Sequence, residues 1–101
     1  MLHRINKCIL SVCDISPAKL GSFEEFLITL TRELNENKFK HVIIFREEPI
    51  KIVKETLLEL GAEIRLFKRS TSNIYNFIYL HRIIQETKPS IVHFHFYPVY
   101  T

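Results

Sequence analysis

The chain has 101 residues, 47% hydrophobic and 25% charged, with only two glycines and four prolines. That is the make-up of one globular domain, and it excludes collagenous, low-complexity and disordered classes. The formal net charge of +3 permits an anionic partner without demanding one, and no run of about 18 apolar residues exists to cross a membrane.

The N-terminal stretch Met1-Leu2-His3-Arg4-Ile5-Asn6-Lys7 leads into a short apolar run that ends at Asp14, too broken for a signal peptide. The run itself, Cys8–Cys13 (CILSVC), reads as the first strand. Its two cysteines are five apart, so a strand points them to opposite faces and they make poor disulfide partners. A reducing, cytoplasmic setting is expected. A loop follows, Asp14-Ile15-Ser16-Pro17-Ala18-Lys19-Leu20-Gly21-Ser22. Then Phe23, Phe26, Leu27, Leu30 and Leu34 recur on one face of a first helix, with Ser22 and Glu25 spaced as a capping box.

His41–Phe45 (HVIIF) reads as the second strand. The second helix starts near Pro49, with an apolar stripe of Ile50, Val53, Leu57 and Leu60, and Gly61 is placed to cap its end. Glu63–Phe67 (EIRLF) is the third strand, and Glu63 and Arg65 on one of its faces suit a sheet edge. The third helix starts near Thr71 or Ser72. Its stripe is Ile74, Phe77, Ile78, His81 and Ile84, widened by Leu80 and Ile83, so cover on more than one side is expected. Lys88-Pro89 stops it before the fourth strand, Ile91–Phe96 (IVHFHF).

Strands alternating with helices imply parallel pairing through right-handed crossovers. The first, second and fourth runs are nearly continuous in apolar residues, as in strands buried on both faces. The expected fold is α/β, a Rossmann-like three-layer domain with a four-stranded parallel sheet of order 3-2-1-4 and helices on both faces. Eight Phe and four Tyr are a heavy apolar load for this length. Either the packing is tight, or some apolar surface belongs against something outside these residues. The fourth strand and its tail Phe96-Tyr97-Pro98-Val99-Tyr100 are the expected place for it, and self-association is expected to follow.

In an open parallel sheet, ligands bind outside the carboxyl ends of the strands, here between the first and fourth. The first loop ends at a helix N-terminus, where free N–H groups attract anions. With one glycine it is neither a dinucleotide fingerprint nor a P-loop, and from the loop alone Gly21-Ser22 reads first as a plain turn and cap, and second as a close approach for a phosphate or sugar. His93 and His95 share a face of the fourth strand. They read as zinc ligands, as hydrogen-bonding groups at a ligand site, or as satisfied core histidines. No cysteine or carboxylate follows closely to complete a zinc site, so no metal is assigned. His95, nearer the strand end, is expected to be the more exposed, and His93 the deeper. His3, His41 and His81 show no arrangement. Lys19, Lys40, Lys68 and Arg69 are scattered, and no nucleic-acid partner is expected. Phe67-Lys68-Arg69 stands where a phospho-receiver domain needs its aspartate.

In order, the chain carries Ser16-Pro17, Gly21-Ser22-Phe23-Glu24, Lys40-His41-Val42, Leu60-Gly61-Ala62-Glu63 and Lys88-Pro89-Ser90-Ile91-Val92-His93-Phe94-His95. This series resembles the N-terminal, acceptor-side domain of family 4 glycosyltransferases of GT-B architecture. Ser22 stands where the family has a second glycine, and Ser90 where it usually has aspartate. The resemblance implies that residues 1–101 are a partial N-terminal Rossmann-like domain, ending after the fourth strand. It implies a hexosyltransferase-type activity, moving sugar from a nucleotide-sugar donor to a sugar or lipid acceptor, with peripheral membrane contact in the lipid case. The donor-binding C-terminal half, as further domain or partner subunit, would be required, so the isolated chain is expected to be inactive. The resemblance further implies His95 as the catalytic residue, Gly21, Ser22 and His93 as substrate-binding residues, and no cofactor. The alternative is a stand-alone Rossmann-like module that binds phosphate or nucleotide, or another protein.

Overall fold

A computed structural model describes residues 7–15, 17–68 and 71–95. His3, Ser16, Arg69 and the tail Phe96-Tyr97-Pro98-Val99-Tyr100, all used in the sequence reading, lie outside the described residues. Seven elements alternate: β1 (Lys7–Cys13), α1 (Ser22–Glu36), β2 (Phe39–Phe45), α2 (Lys51–Glu59), β3 (Glu63–Leu66), α3 (Asn73–Thr87) and β4 (Ile91–His95). The strands form one sheet of order β3-β2-β1-β4, and every pair is parallel. This is the Rossmann-like, three-layer arrangement expected from the alternation.

Two cores lie on the two faces of the sheet. Cys8, Leu10, Val12, Val42 and Ile44 point to the α3 side, where Ile83, Tyr79 and Leu80 meet them. Cys13, Ile43 and Phe45 point to the other side, under Leu27 of α1 and Val53 and Leu57 of α2. Period-2 alternation in β1 thus separates Cys8 from Cys13, and both are buried free thiols. Burial pushes the Cys13 thiol up to about 12 and raises Cys8 as well, so neither is a ready nucleophile.

β3 is an edge, as its charges suggest. Glu63 takes Lys40 at 3.3 Å and Arg65 at 2.7 Å, and Arg65 reaches Glu86 of α3 at 2.7 Å. This chain of charges spans the edge from β2 to α3. β4 is the other edge, as the order 3-2-1-4 requires, but the burial on both faces expected from its apolar run is absent. It pairs only with β1 among the described residues, and Ile91 and Phe94 are about half exposed.

The helix starts and ends also differ in detail. Gly21, rather than Ser22, is the N-cap of α1, and Glu24, rather than Glu25, closes the turn by accepting the Gly21 N–H at 3.0 Å. α2 starts two residues past Pro49, at Lys51, with Ile50 as its N-cap. Its end is a Schellman turn: the Gly61 N–H donates to the Leu58 carbonyl and the Ala62 N–H to the Leu57 carbonyl, both at 3.0 Å. Gly61 has φ +93°, and an added Cβ would lie 3.0 Å from Asn35 Oδ1. Gly61→Ala is therefore expected to cost about 1 kcal/mol, or ~5 °C of melting temperature, measurable by thermal denaturation.

α3 differs most from its sequence pattern. The stripe of Ile74, Phe77, Ile78, His81 and Ile84 faces away from the sheet, and the opposite face, with Asn76 and Ile83, is the buried one. No helix among the described residues is long and apolar enough to cross a membrane.

Candidate functional site

The order β3-β2-β1-β4 puts the switch point between β1 and β4. At their carboxyl ends Cys13 lies opposite His95, and Ser11 opposite His93. The β1–α1 loop starts there, tied down by neighbours. The Asp14 N–H donates to the His95 carbonyl at 3.3 Å. Arg46, just after β2, donates from Nε to Asp14 Oδ1 at 3.1 Å and from Nη2 to the Asp14 carbonyl at 2.6 Å. The Arg46 N–H reaches the Ile15 carbonyl, and the Ile50 N–H reaches that of Pro17. The loop is thus held from both sides, which gives the crevice one firm wall.

His95 sits where the start of α1 overhangs the end of β4. Its ring lies 5.4 Å from Phe23 and 6.1 Å from Phe26, and 5.8 Å from His93 at right angles. Nε2 of His95 is buried and has no hydrogen-bond partner among the described residues. Burial, and then the neighbouring His93, lower its proton affinity below the ordinary histidine value. His93 is exposed and His95 half-buried, the reverse of the depth order expected from the sequence. The reason is geometric: α1 covers the last residue of β4 with its first turn and then runs over β1 and β2, leaving the middle of this edge strand open.

Neutral His95 with a free ring nitrogen can donate or accept one hydrogen bond to a ligand group entering the crevice. Ser22 is exposed in the first turn of α1. Gly21 has extended backbone, with φ −105° and ψ −169°. A Cβ there would meet Glu24 Oε1 at 3.1 Å, so the glycine makes room for the capping carboxylate. Glu24 is 8% exposed, and its carboxylate stands where an anion would bind the helix N-terminus. A phosphate at Gly21 would have to displace it.

The described residues include no group of three or more His, Cys, Asp or Glu able to hold a metal, so His93 and His95 meet no third ligand there. Two surface hollows, about 310 Å³ beside Lys38, Phe39 and Gly61 and about 210 Å³ beside Cys8, Glu63 and Arg65, lie at the opposite, amino end of the sheet. Neither is near the switch point.

Beneath the site runs a polar chain not expected from the sequence. Ser11, Thr31 and His41 are each no more than 1% exposed. The Thr31 hydroxyl donates to the Leu27 carbonyl at 2.7 Å, so toward His41 Nδ1, also at 2.7 Å, it accepts. Nδ1 therefore carries the proton, and Nε2 accepts from the Ser11 hydroxyl at 2.7 Å. Burial, helped by His95 and His93, pushes His41 down to about 4, so the ring is neutral at pH 7. Serine and histidine here resemble a nucleophile and its base, but no solvent or substrate reaches them. Their role is to pin α1 to β1 and β2.

Fold and site together define a Rossmann-like α/β domain with a histidine pair at the switch point of its sheet. Compared with protein-family models, curated proteins and solved structures, the chain gives no match.

Proposed function

We propose that this chain is the acceptor-side N-terminal part of a glycosyltransferase of GT-B type, similar to family 4. It works with a donor-binding half to move a sugar from a nucleotide-sugar to a sugar or lipid acceptor. The observation that carries the reading is His95: half-buried at the carboxyl end of β4, beside the β1–α1 loop, with a buried ring nitrogen unpartnered among the described residues. The sequence segments that resemble the family add support. Lys88-Pro89-Ser90 leads into β4, Lys40-His41-Val42 lies in β2, Leu60-Gly61-Ala62-Glu63 makes the α2–β3 turn, and Gly21–Glu24 starts α1.

In this reading His95 hydrogen-bonds a sugar hydroxyl or steadies charge as the glycosidic bond rearranges. His93, exposed on the same face, contacts substrate at the open edge, and Gly21 and Ser22 line the wall. The chain binds no cofactor of its own. A phosphate-binding module is the weaker reading, because Glu24 already sits at the helix N-terminus.

The test is the coding sequence around these residues. The expected result is a second Rossmann-like half, in the same or the next reading frame, with a Glu-x7-Glu pattern for the donor. A frame that closes after residue 101 with no such half nearby would overturn the reading.

A further inference from the structure

Among the described residues, the face of α3 that points away from the sheet is left uncovered. Ile74, Phe77, Ile78 and Ile84 are 74, 69, 49 and 37% exposed, and His81 between them is exposed too, its ring stacked on Phe77 at 5.9 Å. The opposite face, Asn76, Tyr79, Leu80 and Ile83, is spent on the sheet. A helix apolar on both sides is one covered on both sides. Isolated exposed apolar residues are ordinary, but one contiguous stripe on the order of 500 Å² is large for a domain of this size.

The spacing says what fits. Residues 74, 77, 81 and 84 fall at the a, d, a and d positions of a heptad, the pattern of a helix seated against another helix. We propose that α3 pairs antiparallel with α3 of a second copy of this chain, forming a closed two-fold homodimer. An axis at the level of residue 79 sets each a position opposite a d position: Ile74 against Ile84 of the partner subunit, and His81 against Phe77 of the partner subunit. The four seam positions carry no carboxylate, lysine or arginine, and His81 is the one polar residue among them. Glu86, to one side, is already held by Arg65.

The same stripe suits its own copy better than it suits a lipid surface. An interfacial membrane helix carries a polar face rich in Lys and Arg, whereas the other face of α3 is in the core. Two stripes bury about 1,000 Å², the lower bound for a specific interface, so a micromolar dimer is expected rather than an obligate one. The inference rests on α3 alone and does not depend on the glycosyltransferase reading.

Sedimentation of the 101-residue chain across micromolar to millimolar concentration tests it, with far-UV circular dichroism as the check on folding. A monomer–dimer equilibrium is expected, with dissociation at least tenfold easier in Phe77→Glu and in Ile74→Lys and unchanged in Ile91→Lys on the β4 edge. Cysteine pairing reads the direction. A mixture of Phe77→Cys and His81→Cys chains should cross-link, and His81→Cys alone should not. The proposal is overturned by a monomer at every concentration. It is also overturned by assembly lost only in Ile91→Lys, or by self-cross-linking of His81→Cys. A monomer that instead co-sediments with phosphatidylcholine–phosphatidylglycerol vesicles, and loses this in Phe77→Glu, would equally contradict it.

Discussion

Lowering the pH from 7.5 to 4.5 is expected to remove about 2–3 kcal/mol of folding stability through His41. In the unfolded chain this imidazole takes up a proton near its ordinary 6.5, but in the fold only at about 4. Above pH 6.5 it is neutral in both states and adds no pH dependence. Between 6.5 and 4 the unfolded state binds more protons, so stability falls as the pH falls. Below 4 both states are charged and the loss is complete. The cause is the site itself. A charged ring would sit among Ser11, Thr31 and Leu27 without water, and the Ser11 hydroxyl would lose its acceptor. His95 is lowered for the same reason and acts in the same direction, while Glu63, held down by Arg65 and Lys40, adds its loss at still lower pH. Urea denaturation at the two pH values measures the difference. His41→Gln should be less stable at pH 7.5 and much flatter in its response. Equal stability of the parent chain at both pH values would show that His41 is not the buried neutral group described.

Phe45→Ala should be the most damaging single truncation, at about 3–5 kcal/mol. Phe45 ends β2, is fully buried, and packs in the core that joins the sheet to α1 and α2. Its carbonyl also accepts the Phe67 N–H at 2.8 Å, next to the end of β3. Removing the ring leaves a cavity between layers that cannot close without moving a helix. For a domain of about 100 residues that is a large share of a total near 5–10 kcal/mol. A denaturation midpoint close to that of the parent would contradict this packing. Phe26→Ala, at a half-exposed position, serves as the mild comparison.

Much of the architecture was legible in the sequence, because strand–helix alternation and the charges of β3 carry topological information. Other features needed the third dimension. The outward stripe of α3 is more hydrophobic than the buried one, which includes Asn76 and Tyr79, so periodicity put the exposed face first and gave the covered one only as Leu80 and Ile83. The edge place of β4 was legible in the order 3-2-1-4, but apolar residues on both its faces suggest burial on both, whereas Ile91 and Phe94 are about half exposed. The start of α1 moved by one residue because Glu24 and Glu25 are equally good capping residues in sequence, and the turn chose Glu24. Ser11, Thr31 and His41 come from three separate elements, and only the β1–β2 register with α1 laid across it brings them together. A lone polar residue within each of the apolar runs CILSVC and HVIIF was the one available signal. The histidine pair was visible as a motif, but its relative depth depended on where α1 lands.

The proposed function turns on His95. Under the proposed function, the most direct measurement is nucleotide-sugar turnover by this chain together with a donor-binding half, parent against His95→Ala, with thermal stability read in parallel. The expected result is a fall in turnover of at least tenfold, with a change in melting temperature too small to explain it. Turnover unchanged in His95→Ala, or sugar transfer by the 101-residue chain on its own, would contradict the proposed function.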